Sequence, residues 1–126
     1  MRDTFTRRAG ESATSTLVNG CLVVTLSGEI ATSLSTLQEY VLRRTQDSQA
    51  RAVLIEMATV RFIDRSEFEG LRAMVEMLRF LGTPAVFISL HAGIVAYLVE
   101  NNIDTSGLTF KAHLEDALRD GFEIIR

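Results

Sequence analysis

Phe62-Ile63-Asp64-Arg65-Ser66-Glu67-Phe68-Glu69-Gly70-Leu71 runs an apolar pair straight into an acidic residue, with a glutamate three places later. Asp64 has the chemistry of a helix N-cap, accepting from backbone N–H groups, and Glu67 is spaced to reach back and close a capping box. Arg65 and Ser66 then form the first exposed turn. From there Phe68, Leu71, Val75 and Leu78 fall on one stripe at helical spacing. Glu69, Arg72, Glu76 and Arg79 alternate in sign on the other faces, at separations that allow intrahelical pairing. Gly82-Thr83-Pro84 ends the helix, because glycine caps it and proline cannot continue it. A hydroxyl at Ser66 lies where the helix dipole favours negative charge, which makes it a candidate phosphate acceptor. The same turn is also what any capped helix presents.

Outward from this helix, short apolar runs alternate with helical periods. Thr16-Leu17-Val18 and Cys21 to Leu26 flank Asn19-Gly20, a turn pair that predicts a β-hairpin. Residues Met1 to about Ala13 have no period and read as a flexible leader, with residues 14–126 as the domain. Ile30, Leu34, Leu37 and Val41 predict an amphipathic helix of about three turns, followed by a polar linker from Gln46 to Gln49. Ala52-Val53-Leu54-Ile55 and Ala85-Val86-Phe87-Ile88 suit central strands covered on both faces. A helix over Ala92–Glu100 ends at Asn101-Asn102, Leu108-Thr109-Phe110 forms an edge strand, and a last helix begins near His113, with Phe122, Ile124 and Ile125 able to pack back. The order predicts an α/β fold: a mixed sheet of about four to five strands, opened by a hairpin, with about four helices packed against it.

Composition narrows the chemistry. The chain has 126 residues, 47% of them hydrophobic and 23% charged, which fits one soluble domain. A net charge of -3 and the lack of a dense Lys/Arg stripe disfavour nucleic acid. No apolar run approaches ~20 residues and no signal-peptide pattern opens the chain, so neither membrane insertion nor export is expected and a cytoplasmic protein fits. Cys21, in an apolar run, reads as a small buried hydrophobe, and His91 and His113 show no metal-ligand spacing. The phosphate-loop, dinucleotide and nucleophile-elbow motifs are missing. We therefore expect no catalytic residues, no metal and no cofactor. Asp64 and Glu67 as an acid/base pair give way to the simpler capping role.

Several local motifs, taken in order, resemble a STAS domain, the fold of bacterial anti-sigma factor antagonists. They are Gly28-Glu29-Ile30 after the second strand, Val53 to Ala58 where the family has a strand ending in Asp-Leu-Ser, Val60 to Asp64 leading into the signature helix, and Gly82 to Val86 leading into the next strand. Asn102-Ile103-Asp104-Thr105-Ser106 resembles a segment of the single-domain STAS proteins of the stressosome. The resemblance spans about Ser15 to Phe122. It implies a non-enzymatic switch whose partner is a serine/threonine switch kinase or an anti-sigma factor, with other STAS proteins or further copies of the chain as additional partners. It also implies a partner-binding surface at Asp64, Arg65, Ser66 and Glu67. The alternative within the family is an accessory subunit of a lipid or anion transport system. One departure matters: the usual acceptor, directly after the aspartate, is here Arg65, and Ser66 lies one residue or about 100° further round the helix. Arg65 is either a surface residue pairing with Glu67 or Glu69, or a contact residue of a variant that is not phosphorylated in the usual way.

Overall fold

A computed structural model describes residues 7–9, 13–27 and 34–124. The chain order is β1 (Arg7–Ala9), β2 (Ala13–Val18), β3 (Cys21–Leu26), α1 (Leu34–Ser48), β4 (Ala52–Glu56), α2 (Arg65–Phe80), β5 (Ala85–Ile88), α3 (Ala92–Glu100), β6 (Phe110–Lys111) and α4 (Leu114–Ile124). The six strands form one sheet in sequence order. β1, β2 and β3 pair antiparallel, and β3, β4, β5 and β6 pair parallel. Among the described residues this is the expected mixed sheet with an opening hairpin and four helices, and β1 brings the strands to six. The Asn19-Gly20 turn has positive φ at both residues, 53° and 81°, as a two-residue turn matching the strand twist requires. Arg51 seats the turn, its guanidinium donating to the Asn19 carbonyl at 2.6 Å.

Sequential order means that each parallel crossover steps the same way, and the handedness of such crossovers then puts the connecting helices on one face. Register does the rest. Leu22, Val24, Leu26, Val53, Ile55 and Phe87 point to that face and share a buried cluster with Leu37 and Val41 of α1, Phe68, Leu71, Met74, Val75 and Leu78 of α2, and Ile94 and Leu98 of α3. The alternate residues Cys21, Val23, Ala52, Leu54, Val86 and Ile88 face the other way and are covered by Leu114, Ala117 and Leu118 of α4. β4 is apolar without alternation because both its sides are covered, and Ala52 to Ile55 are completely buried. Cys21 is likewise buried, and burial pushes its thiol pKa up with Arg51 offsetting only part of the rise, so it is held as the unreactive thiol.

Two expectations change. Arg7–Ala9 and Ala13 fall in the segment read as a leader, yet they are strand residues, too few and too mixed in type to show a period. The polar linker at Gln46 belongs to α1, which continues to Ser48 and stops at Gln49, whose φ is 54°. Its last turns carry buried polar side chains: Arg44 Nε donates to Ser15 Oγ at 2.9 Å, and Ser15 Oγ lies 2.6 Å from the Tyr40 hydroxyl. The Gly28-Glu29-Ile30 motif and the packing of Phe122, Ile124 and Ile125 lie outside the described residues.

Candidate functional site

Helix α2 begins where the carboxylates of Asp64 and Glu67 dictate. Asp64, extended at φ -97° and ψ 176°, accepts the Glu67 amide on Oδ1 at 2.8 Å, while Glu67 Oε1 accepts the Asp64 amide at 2.9 Å. Ile63 before the cap and Phe68 in the first turn are both buried in the main core, at the positions of a hydrophobic staple. Together these set the entry angle of the chain and leave Arg65 and Ser66 exposed.

A helix start leaves four amides without intrahelical partners. Here the capping box satisfies those of Asp64 and Glu67, and the Tyr97 hydroxyl of α3 accepts that of Arg65 at 3.1 Å. The Ser66 amide is the remaining one. A charged group attached to the Ser66 hydroxyl would therefore sit beside the open end of α2, without having to displace the cap.

Arg65 follows neither pairing proposed from its neighbours. Glu67 is committed to the cap, and the Arg65 guanidinium donates instead to the Asn101 carbonyl at 2.9 Å. Asn101 is the C-cap of α3. A cation that opposes the dipole of α2 thus lies at the negative end of α3, so a local cost is offset by a tertiary contact. This contact depends on a helix 36 residues away in sequence, which no periodicity around position 65 signals.

Phe62 is the functional candidate that pattern reading missed. The apolar pair divides at the cap: Ile63 is 1% exposed and Phe62 is 69% exposed. The Phe62 ring meets Tyr97 edge-on, with centroids 6.2 Å apart. Phe62, Asp64, Arg65, Ser66 and Glu67 therefore make one face with Tyr97, combining an exposed aromatic, a cation, a hydroxyl and two carboxylates. The four residues expected from the sequence are brought together at the start of α2.

Histidines and carboxylates elsewhere have local roles. His91 caps α3, its Nδ1 accepting the Gly93 amide at 3.1 Å. Among the described residues no group of three or more His, Cys, Asp and Glu side chains is placed to hold a metal. Asp104, in the segment after α3, accepts the Ser106 amide at 2.9 Å. That bond and a further one to the Ser106 side chain hold its carboxyl below the ordinary aspartate value; burial opposes them, and the nearby charge of Arg72 adds the least.

Comparison with known proteins agrees with this architecture. The STAS domain family model matches residues 13–120. No curated protein sequence matches the chain significantly. Among solved structures, a chain of the stressosome, described as a signal integration and transduction hub, superposes with a TM-score of 0.76 at 18% identity, over 89% of this chain and 98% of that one. A variant of RsbS from Moorella thermoacetica gives 0.74 at 17% identity, over 87% and 94%. The anti-sigma factor antagonist SpoIIAA in its unphosphorylated form gives 0.69 at 11% identity, over 91% and 99%. At these identities the likeness is one of fold. No helix among the described residues is long and apolar enough to cross a membrane.

Two measurements test the site's construction. Replacing Asp64 by alanine removes the cap acceptor and is expected to cost about 1 kcal/mol in urea unfolding with the fold retained; an unchanged midpoint would contradict the capping role. For Asp104, a depressed folded pKa means its stabilising contribution is complete above the unfolded value of about 3.9 and is lost as pH falls through the lower folded value. Carbon-detected NMR titration of its carboxyl should give a midpoint below 3.9, and a midpoint at or above that value contradicts the Ser106 and Arg72 contacts.

Proposed function

This chain belongs to the STAS domain family, and from that membership we propose that it is a regulatory protein-binding module of the anti-sigma factor antagonist type. The partner is a kinase-like anti-sigma factor or switch kinase, and the contact face is the start of α2. The observation that supports this reading best is the exposed turn of Arg65 and Ser66 beside the exposed Phe62, on a helix end fixed by its cap and by α3. An aromatic ring framed by polar and charged groups is the composition from which interface hot spots are built. Because Tyr97 and the capping box already hold the backbone, a partner meets a prearranged surface and little ordering entropy is lost on binding.

Switching follows from charge. Phosphorylation of Ser66 would bring about -1.5 to -2 charge into a contact face that already carries Asp64 and Glu67, and a partner shaped for the neutral hydroxyl would be repelled or left with an unpaired, desolvated group. Arg65, occupying the place where related proteins have the acceptor, makes Ser66 a shifted acceptor or leaves the module to be regulated through the arginine itself. The stressosome likeness supports a role as one subunit of a larger stress-signalling assembly of STAS domains, working in the cytoplasm.

Pull-down with a nucleotide-binding kinase domain of the partner class tests the surface. Asp64→Arg, Arg65→Glu and Ser66→Glu are each expected to weaken capture at least tenfold, on the scale of a lost interface anchor of about 2 kcal/mol. Capture unchanged in all three variants removes this face from the account. In parallel, incubation with the cognate kinase and ATP followed by mass spectrometry should place phosphate on Ser66. Phosphate elsewhere, or none, rules out the shifted acceptor.

A further inference from the structure

Three arginines on α2 stand seven residues apart: Arg65, Arg72 and Arg79. Seven residues are nearly two turns, so the three lie along one stripe about 10 Å apart. Every one of them donates to backbone carbonyls of the connection between α3 and β6. Arg65 reaches Asn101 at 2.9 Å, Arg72 Nη1 reaches Ser106 at 3.1 Å while its Nη2 bonds the Asp104 carbonyl, and Arg79 reaches Gly107 at 2.6 Å. Arg72 Nη2 also lies 3.9 Å from the Asp104 carboxylate.

The connection needs this help. Residues 101–107 form no helix or strand, and one apolar side chain, Ile103 at 6% exposure, anchors them in the core. Two of their residues, Asn102 and Gly107, have φ of 51° and 79°, so the backbone turns sharply at both ends. Its other hydrogen bonds are few and local: the Asn102 and Ile103 amides donate back to the Val99 and Leu98 carbonyls of α3, the Ser106 amide to the Asp104 carboxylate, and the Leu108 amide to the Thr105 carbonyl. A segment with so little packing of its own belongs to the part of a protein that opens first.

We propose that residues 101–107 are a strap clamped to α2 by the arginine stripe, and that Arg65 couples the strap to the face at the start of α2. The three clamps differ in kind. Arg72 has its side chain only 17% exposed and holds two carbonyls, so it is the fixed anchor. Arg65 is exposed and holds one neutral carbonyl, a weaker acceptor than any carboxylate or phosphate that an approaching surface can offer. An acidic group that takes the Arg65 guanidinium frees the Asn101 end while Arg72 keeps the middle in place. The strap then reports on occupancy of the face.

The coupling part of this proposal rests on the face being a docking surface; the clamp itself does not, and amide hydrogen exchange of the free, full-length protein tests it alone. Arg72→Gln should speed exchange of the amides at 102–108 about tenfold or more, the effect of losing charge-assisted hydrogen bonds, with amides of β3, β4 and β5 unchanged. Arg65→Gln should speed exchange at 102–103 and leave 106–108 as in the unmodified chain. If Arg72→Gln does not fold, Arg72→Lys gives the same reading, since one ammonium cannot span two carbonyls with the arginine fork. Strap exchange identical to the unmodified protein, or rising in step with the core strands, overturns the clamp. For the coupling, a short polyglutamate peptide titrated into the protein should raise exchange at 102–103 in the unmodified chain and have no effect in Arg65→Gln. An equal effect in both, or none in either, overturns the coupling while leaving the clamp standing.

Discussion

The reciprocal hydrogen bonds between Asp64 and Glu67 are the constraint on which the start of α2 and everything built on it depend. They fix the residue at which α2 starts, and that residue fixes the direction of every side chain after it. With the cap at Asp64, the stripe from Phe68 to Leu78 meets the sheet, Arg65 reaches α3, and Ser66 is left in solvent. A start displaced by one residue would rotate all of these by about 100° and turn the apolar stripe from the core. Core packing and surface chemistry are therefore tied to a single choice of cap.

The helix α3 completes what the cap begins. Its Tyr97 hydroxyl takes the amide of Arg65, its terminal carbonyl takes the guanidinium of the same residue, and its aromatic ring borders the exposed Phe62. α3 is nine residues long and is itself capped by His91. The Tyr97 hydroxyl and the Arg65 guanidinium thus hold the start of α2 against the C-terminal end of α3, where the positive end of one helix meets the negative end of the other. The remaining arginines of α2 extend the same bond type to the following segment, so the signature helix carries the connection to β6 along its length.

Much of this was legible locally. Asn19-Gly20 demanded the hairpin, Ala52 to Ile55 announced a strand covered on both sides, and Asp64 with Glu67 announced the cap, because each depends on residues within a few positions of one another. What stayed hidden depends on distance in sequence. Gln49 ends α1 in a conformation more often given to glycine or asparagine, Phe62 is turned outward by the cap at the next residue but one, and Arg65 and Arg72 pair with carbonyls that carry no side-chain signature. The alternating charges of α2 are an instructive case. Arg79 does lie 3.7 Å from Glu76, yet Arg72 turns to the strap, since a groove between helix and loop offers it two acceptors at once.

On the proposed reading a partner meets the α2 start and the end of α3 together. A hydrogen-exchange footprint of the protein with a kinase domain of the proposed partner class tests this directly. Exchange should slow in peptides covering 61–69 and 97–101, with the α4 peptides covering 114–119 unchanged. Protection centred on α4, with the start of α2 exchanging as in the free protein, would contradict it.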